Sequence, residues 1–99
     1  MLFKNKYRVM LHGENLWMTF GENKCIGFYA TRYVRGIDFE EASKIAIDSV
    51  QNELQLNSNV LNSKENPVIV VVEEIFKLPY FKKQLSPGVG FTFYLENDA

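Results

Sequence analysis

Apolar and polar positions alternate along the first third of the chain, and that alternation predicts strands. Tyr7, Val9 and Leu11 fall on one side of residues 7–12, with Arg8, Met10 and His12 on the other, the period of two expected of a half-buried strand. Gly13-Glu14-Asn15 supplies turn residues, so residues 16–20 are expected to return as the second strand of a hairpin. A second turn, Gly21-Glu22-Asn23-Lys24, leads to a third strand over 26–35 that is rich in aromatic and β-branched residues. There Ile26, Phe28, Ala30 and Val34 share one face, while Tyr29, Thr31, Tyr33 and Arg35 share the other.

The period then changes. Gly36-Ile37-Asp38-Phe39-Glu40-Glu41-Ala42 reads as a helix start, with Asp38 able to accept from a first-turn amide and Glu41 able to reach back. The helix is expected over 39–55. Phe39, Ala42, Ile45, Ala46, Val50 and Leu54 form its buried stripe, Glu40, Lys44, Asp48, Gln51 and Asn52 its solvated side, and Ile47 lies off the stripe. Residues 56–66 read as a loop rich in Asn and Ser, with Val60 and Leu61 pinning its middle to the core. Pro67 opens the apolar run Val68-Ile69-Val70-Val71-Val72, which suits a central strand covered on both faces and continuing to Phe76. Residues 78–87 read as irregular, with Tyr80 and Phe81 beside Lys82 and Lys83. Gly88-Val89-Gly90 is expected to be a turn, and 91–95 the last strand, with Phe91, Phe93 and Leu95 opposite Thr92 and Tyr94.

The expectation is thus one α+β domain over residues 1–99, a single sheet of about five strands with one helix packed on one face, in the order β-β-β-α-β-β. A right-handed crossover is expected if the strands flanking the helix are parallel. One helix cannot cover both faces of such a sheet. The second face must meet water, the 78–89 segment or another molecule.

Composition narrows the picture. Of 99 residues, 46% are hydrophobic and 14% aromatic, enough for a packed core. The single cysteine, Cys25, excludes an internal disulfide framework. The longest apolar run, Val68 to Val72, is far short of the about 20 residues of a membrane span, and the start lacks the apolar stretch of a signal peptide; a cytoplasmic, membrane-free protein is expected. The net charge of −1 hides an asymmetry: residues 1–36 carry a net +4 and residues 37–99 a net −5. The halves either neutralise each other in the fold or leave a basic strand face for an anionic partner.

The stretch Gly27-Phe28-Tyr29-Ala30-Thr31-Arg32-Tyr33-Val34, with Glu40-Glu41-Ala42 and Gly90-Phe91-Thr92-Phe93-Tyr94, resembles a family of small uncharacterised bacterial α+β proteins. The resemblance implies a compact α+β domain and brings no activity with it. The strand-to-helix passage from Tyr29 to Leu54 is also similar to HicB-type antitoxins, mainly in its Glu40-Glu41-Ala42 helix opening.

Catalytic signals are sparse. His12 is the one histidine, no Ser stands in a G-x-S-x-G setting, and no Cys or His pair has metal-ligand spacing. Lys24 beside Cys25 is expected to lower the thiol pKa slightly. Glu73 and Glu74, adjacent in a strand, point to opposite faces, so one of them is expected beneath or beside the helix unless the strand bends or reaches the sheet margin there, with an ion pair to Arg32 or Arg35 as its role. No enzyme activity, metal or cofactor is expected.

Gly88-Val89-Gly90-Phe91-Thr92-Phe93-Tyr94 resembles the aromatic strand motif of RNA-recognition-motif domains, in which sheet-borne rings stack on bases. Pro87 stands where that motif carries Lys or Arg, Val89 where it carries an aromatic, and the fold's second helix has no place here. The candidate binding surface is the sheet face carrying Arg8, Tyr29, Tyr33, Arg35 and Tyr94. A non-enzymatic protein-interaction or self-associating module is the expected function, a homodimer being the self-associating form. Single-stranded nucleic-acid binding through the same face is the alternative.

Overall fold

The computed structural model describes residues 3–79 and 90–96. The alternation begun at Tyr7 runs through Gly13 without a turn: β1 (Asn5–Thr19) is one strand of 15 residues. It is followed by β2 (Asn23–Gly36), α1 (Phe39–Gln55), β3 (Ile69–Lys77) and β4 (Thr92–Leu95). The hairpin turn expected at Gly13-Glu14-Asn15 is a bulge instead. The register against β2 shifts between Gly13 and Leu16, and Asn15 takes a φ of 60°. A bulge lets the strand continue while resetting which side faces inward, so Leu11, Leu16 and Met18 are all buried. Two of the five expected strands are therefore one, and the sheet has four among the described residues.

The strand order is β3-β1-β2-β4, with every neighbouring pair antiparallel. The fold is α+β. Because β2 and β3 each run antiparallel to β1, they are parallel to one another, and the α1 connection crosses over β1. The apolar run that opens β3 was expected at the sheet centre; β1 holds that place, and β3 is an edge. Past Glu14, which pairs with the first residue of β3, residues 57–66 take over the flank of β1. Leu61 N–H donates to the Trp17 carbonyl at 2.8 Å, Thr19 N–H to the Asn59 carbonyl at 3.0 Å, and Trp17 N–H to Asn62 Oδ1 at 2.9 Å. Val60 packs on the core, as expected, whereas Leu61 is exposed.

The helix begins as its sequence dictates. Asp38 Oδ1 accepts from Glu41 N–H at 2.9 Å and Glu41 Oε1 accepts from Ile37 N–H at 3.1 Å, which satisfies one first-turn donor and the amide just before the cap. Ala42, Ala46, Val50 and Leu54 are buried against Tyr7, Val9, Leu11, Phe28 and Ala30. The two alanines let the helix lie close to the sheet. Phe39 and Ile45, expected in the stripe, stay substantially exposed. Phe39 instead tilts against the Tyr7 ring at 5.2 Å between centroids, and Ile47 packs partly on the core.

Arg32 lies on the helix side of β2, between Ala30 and Val34, and is almost fully buried. Its Nη2 meets Glu53 Oε2 of α1 at 2.6 Å, its Nη1 donates to the Thr31 carbonyl at 2.8 Å, and the Phe91 ring lies 5.2 Å from its Cζ. The partner expected for it was Glu73 or Glu74. The helix supplies it instead, because the core face of β2 looks towards α1.

Candidate functional site

A second bulge decides the chemistry of the face opposite α1. Met10 pairs with Glu74 and Leu11 with Val72, leaving Glu73 as the extra residue of β3. Strict alternation would have sent one of the two glutamates under the helix. With the bulge, Glu74 sits opposite Met10, on the side away from α1, and Glu73 reaches His12 on that same side.

All five expected site residues share this face. Arg8 pairs with Tyr33, and Arg35 lies two residues further along β2. Tyr29 pairs with His12 and with Thr92, and Tyr94 pairs with Gly27. The five do not form one cluster. Tyr29 and Tyr94 lie 5.6 Å apart between ring centroids near the middle of the face, while Arg8, Tyr33 and Arg35 occupy one end. Tyr94 lies flat across the Gly27 backbone, in space that a Cβ at that position would occupy.

At the centre stands a trio that sequence reasoning missed. His12 Nδ1 lies 3.2 Å from Glu73 Oε1, and His12 Nε2 hydrogen-bonds the Tyr94 hydroxyl. His12 also stacks on Tyr29 at 4.7 Å and 12°. Burial, then the neighbouring Tyr29, Glu96, Glu14 and Glu73 charges, push the Tyr94 hydroxyl pKa up. A hydrogen on Nδ1 facing the Glu73 carboxylate leaves Nε2 to accept from the Tyr94 hydroxyl. A carboxylate, an imidazole and a phenol are thus in line across β3, β1 and β4. The one available signal was His12 on the same alternation side as Arg8; its partners are 61 and 82 residues away in sequence and only the strand pairing joins them.

Cys25 does not join His12. It pairs with Trp17, four residues along β2 from Tyr29, a separation of about 13 Å. Its Sγ donates to Glu96 Oε2 at 2.9 Å. Burial first, then that hydrogen bond and the Glu96 charge, push the thiol up from 9.0 to about 11. Lys24, expected to lower it, pairs with Glu22 at 3.6 Å instead. Among the described residues no group of three acidic, His or Cys side chains has the geometry to hold a metal ion, and no helix is long and apolar enough to cross a membrane.

The face is divided by charge and by polarity. Arg8 and Arg35 lie at one end. Arg8 stacks over Phe76 at 4.9 Å, and its buried Nε has no hydrogen-bond partner among the described residues. Glu14, Glu73 and Glu96 gather around Tyr94 towards the other end. Between and beside them, Met10, Tyr29, Val71 and Phe76 are 37%, 50%, 47% and 43% exposed. The expected apolar segment Tyr80-Phe81-Lys82-Lys83, and Pro87-Gly88-Val89 of the aromatic strand motif, lie outside the described residues. Gly90 does take a positive φ of 87°, in keeping with the expected turn. Comparison with protein-family models, curated proteins and solved structures yields no match to this chain.

Proposed function

We propose that this domain is a non-enzymatic interaction module of the bacterial cytoplasm whose open sheet face docks on a second copy of the same chain. The observation that carries the reading is β3. Its sequence is that of a strand buried on both sides, yet it lies at the edge with Ile69, Val71 and Phe76 substantially exposed on the side away from α1. Apolar surface of this kind, rimmed by charge, is typical of interfaces.

Charge favours self-pairing over other occupants. A twofold axis lying between two such faces, across the strands near Met10, sets the Arg8 and Arg35 end of each copy over the Glu73 and Glu14 region of the other. An isologous contact needs that self-complementarity. The alternative, a single nucleic-acid strand on the same face, is supported by the Tyr29 and Tyr94 rings, but Glu14, Glu73, Glu74 and Glu96 would all repel its phosphates.

Sedimentation equilibrium tests the proposal. Arg8→Glu is expected to weaken the dimer at least tenfold, and Arg8→Glu with Glu73→Arg to restore it in part, because the pair crosses the interface. A native protein that stays monomeric at high micromolar concentration contradicts self-docking. Salt-dependent capture of a thymidine oligomer, lost on Tyr94→Ala, would favour the nucleic-acid alternative.

A further inference from the structure

Strand pairing gathers four cations at one end of the sheet. Asn5 pairs with Gly36, Lys6 with Arg35 and Tyr7 with Lys77, so the start of β1 and the ends of β2 and β3 converge. Between them lies a cleft of about 650 Å³ lined by Lys4, Lys6, Arg35 and Lys77, with Asn5 and Leu78 between the charges. Its wall is tied down where Leu78 N–H donates to the Lys6 carbonyl at 2.8 Å. Among the described residues no carboxylate lines it and none of the four cations forms an ion pair. Two of the acids at the adjacent helix start are engaged elsewhere: Asp38 accepts from Glu41 N–H and Glu41 from Ile37 N–H. Four of the chain's 11 Lys and Arg residues thus share one cleft in a protein of net charge −1.

We propose that this cleft binds a small phosphate-rich anion, a di- or triphosphate group. The volume lies within the range of small-molecule sites. A single carboxylate would leave three cations facing each other, whereas a terminal phosphate alone carries about −1.5 to −2 charges at pH 7. Lysines meet phosphate as point charges and Arg35 as a planar fork. Among the described residues no aromatic ring lines the cleft to hold a base, and a nucleic-acid strand leaving it along the open face would meet Glu74 and Glu73. The cleft shares only Arg35 with the docking surface; Lys4, Lys6 and Lys77 take no part in docking, so the Lys6 and Lys77 variants test the anion site separately.

Amide chemical shifts during titration with inorganic triphosphate, at constant ionic strength, test the proposal. Saturable one-site binding is expected, at least tenfold tighter than for orthophosphate, with shifts confined to Lys4, Asn5, Lys6, Arg35, Lys77 and Leu78. A Lys6→Gln/Lys77→Gln double variant, its fold checked by the same spectrum, is expected to lose at least tenfold in affinity. Equal shifts at Lys24 and Lys64 near the far end, no saturation, or unchanged affinity in the double variant would overturn it. So would a thymidine oligomer that binds more tightly than triphosphate and also moves the Tyr29 and Tyr94 amides, since the ligand would then be a strand.

Discussion

Gly13 and Gly27 each lie beneath an aromatic ring, and the two rings differ in their freedom to move. A Cβ at Gly13 would enter the Phe28 ring, which is fully buried; a Cβ at Gly27 would enter the outer part of the Tyr94 ring, on the open face. Gly13→Ala is therefore expected to cost about 3 kcal/mol, the upper end of overpacking, and Gly27→Ala about 1 kcal/mol, with Tyr94 lifting off His12. Urea denaturation of both variants measures the difference; equal costs contradict it. Cys25 provides a pH test. Well below pH 9 the thiol is protonated in both folded and unfolded chains and adds no slope. Between 9 and about 11 the unfolded thiol ionises while the folded one keeps its proton. The folded state then binds more protons, so stability falls as pH rises. Cys25→Ser is expected to flatten that fall in urea midpoints measured across this window, leaving the smaller decline due to Tyr94. At this scale the sequence was half legible. Alternation alone placed Arg8, Tyr29, Tyr33, Arg35 and Tyr94 on one face. It could not place Glu73 on His12, because an unpaired bulge residue breaks the period on which the reading depended.

Elements were legible wherever local chemistry decided them. The Asp38 and Glu41 cap, the extent of α1 and the faces of β4 follow from neighbours in sequence, and Asp38→Ala is expected to cost about 1 kcal/mol in thermal or urea unfolding. Where pairing decided, local signals misled. Gly13-Glu14-Asn15 has turn residues, yet the flanking apolar positions continue into a single strand that is flanked on both sides. The Val-rich run of β3 says only that both of its faces are apolar, and an uncovered interface satisfies that as well as a central position does. Arg32 carries a similar lesson: it stands on the core side of β2, and a helix carboxylate makes its burial tolerable. Removing Glu53 by Ala leaves a buried charge with only backbone acceptors. The expected cost is about 1–3 kcal/mol, below the figure for a fully buried pair because Glu53 is partly solvated. Arg32→Met in the Glu53→Ala background is expected to recover most of it in the same denaturation assay; no recovery contradicts the charge account.

Seen whole, the molecule is as long as its first strand: its principal extent is 49 Å, close to the about 50 Å of 15 extended residues. One face of this long sheet is covered in part by α1, with Phe93 and Leu95 of β4 left substantially exposed on that side. The other carries Met10, Tyr29, Val71 and Phe76 between an arginine end and a glutamate end. The sequence asymmetry of +4 and −5 is thus neither fully neutralised nor spread as one basic face, but separated along the surface. The most direct test compares amide spectra of the native protein at low micromolar and near-millimolar concentration. Self-docking predicts concentration-dependent shifts at Arg8, Met10, His12, Tyr29, Val71 and Phe76, lost in Arg8→Glu and partly restored by adding Glu73→Arg. Spectra that do not change with concentration, or changes confined to the exposed α1 residues Phe39 and Ile45, would contradict it.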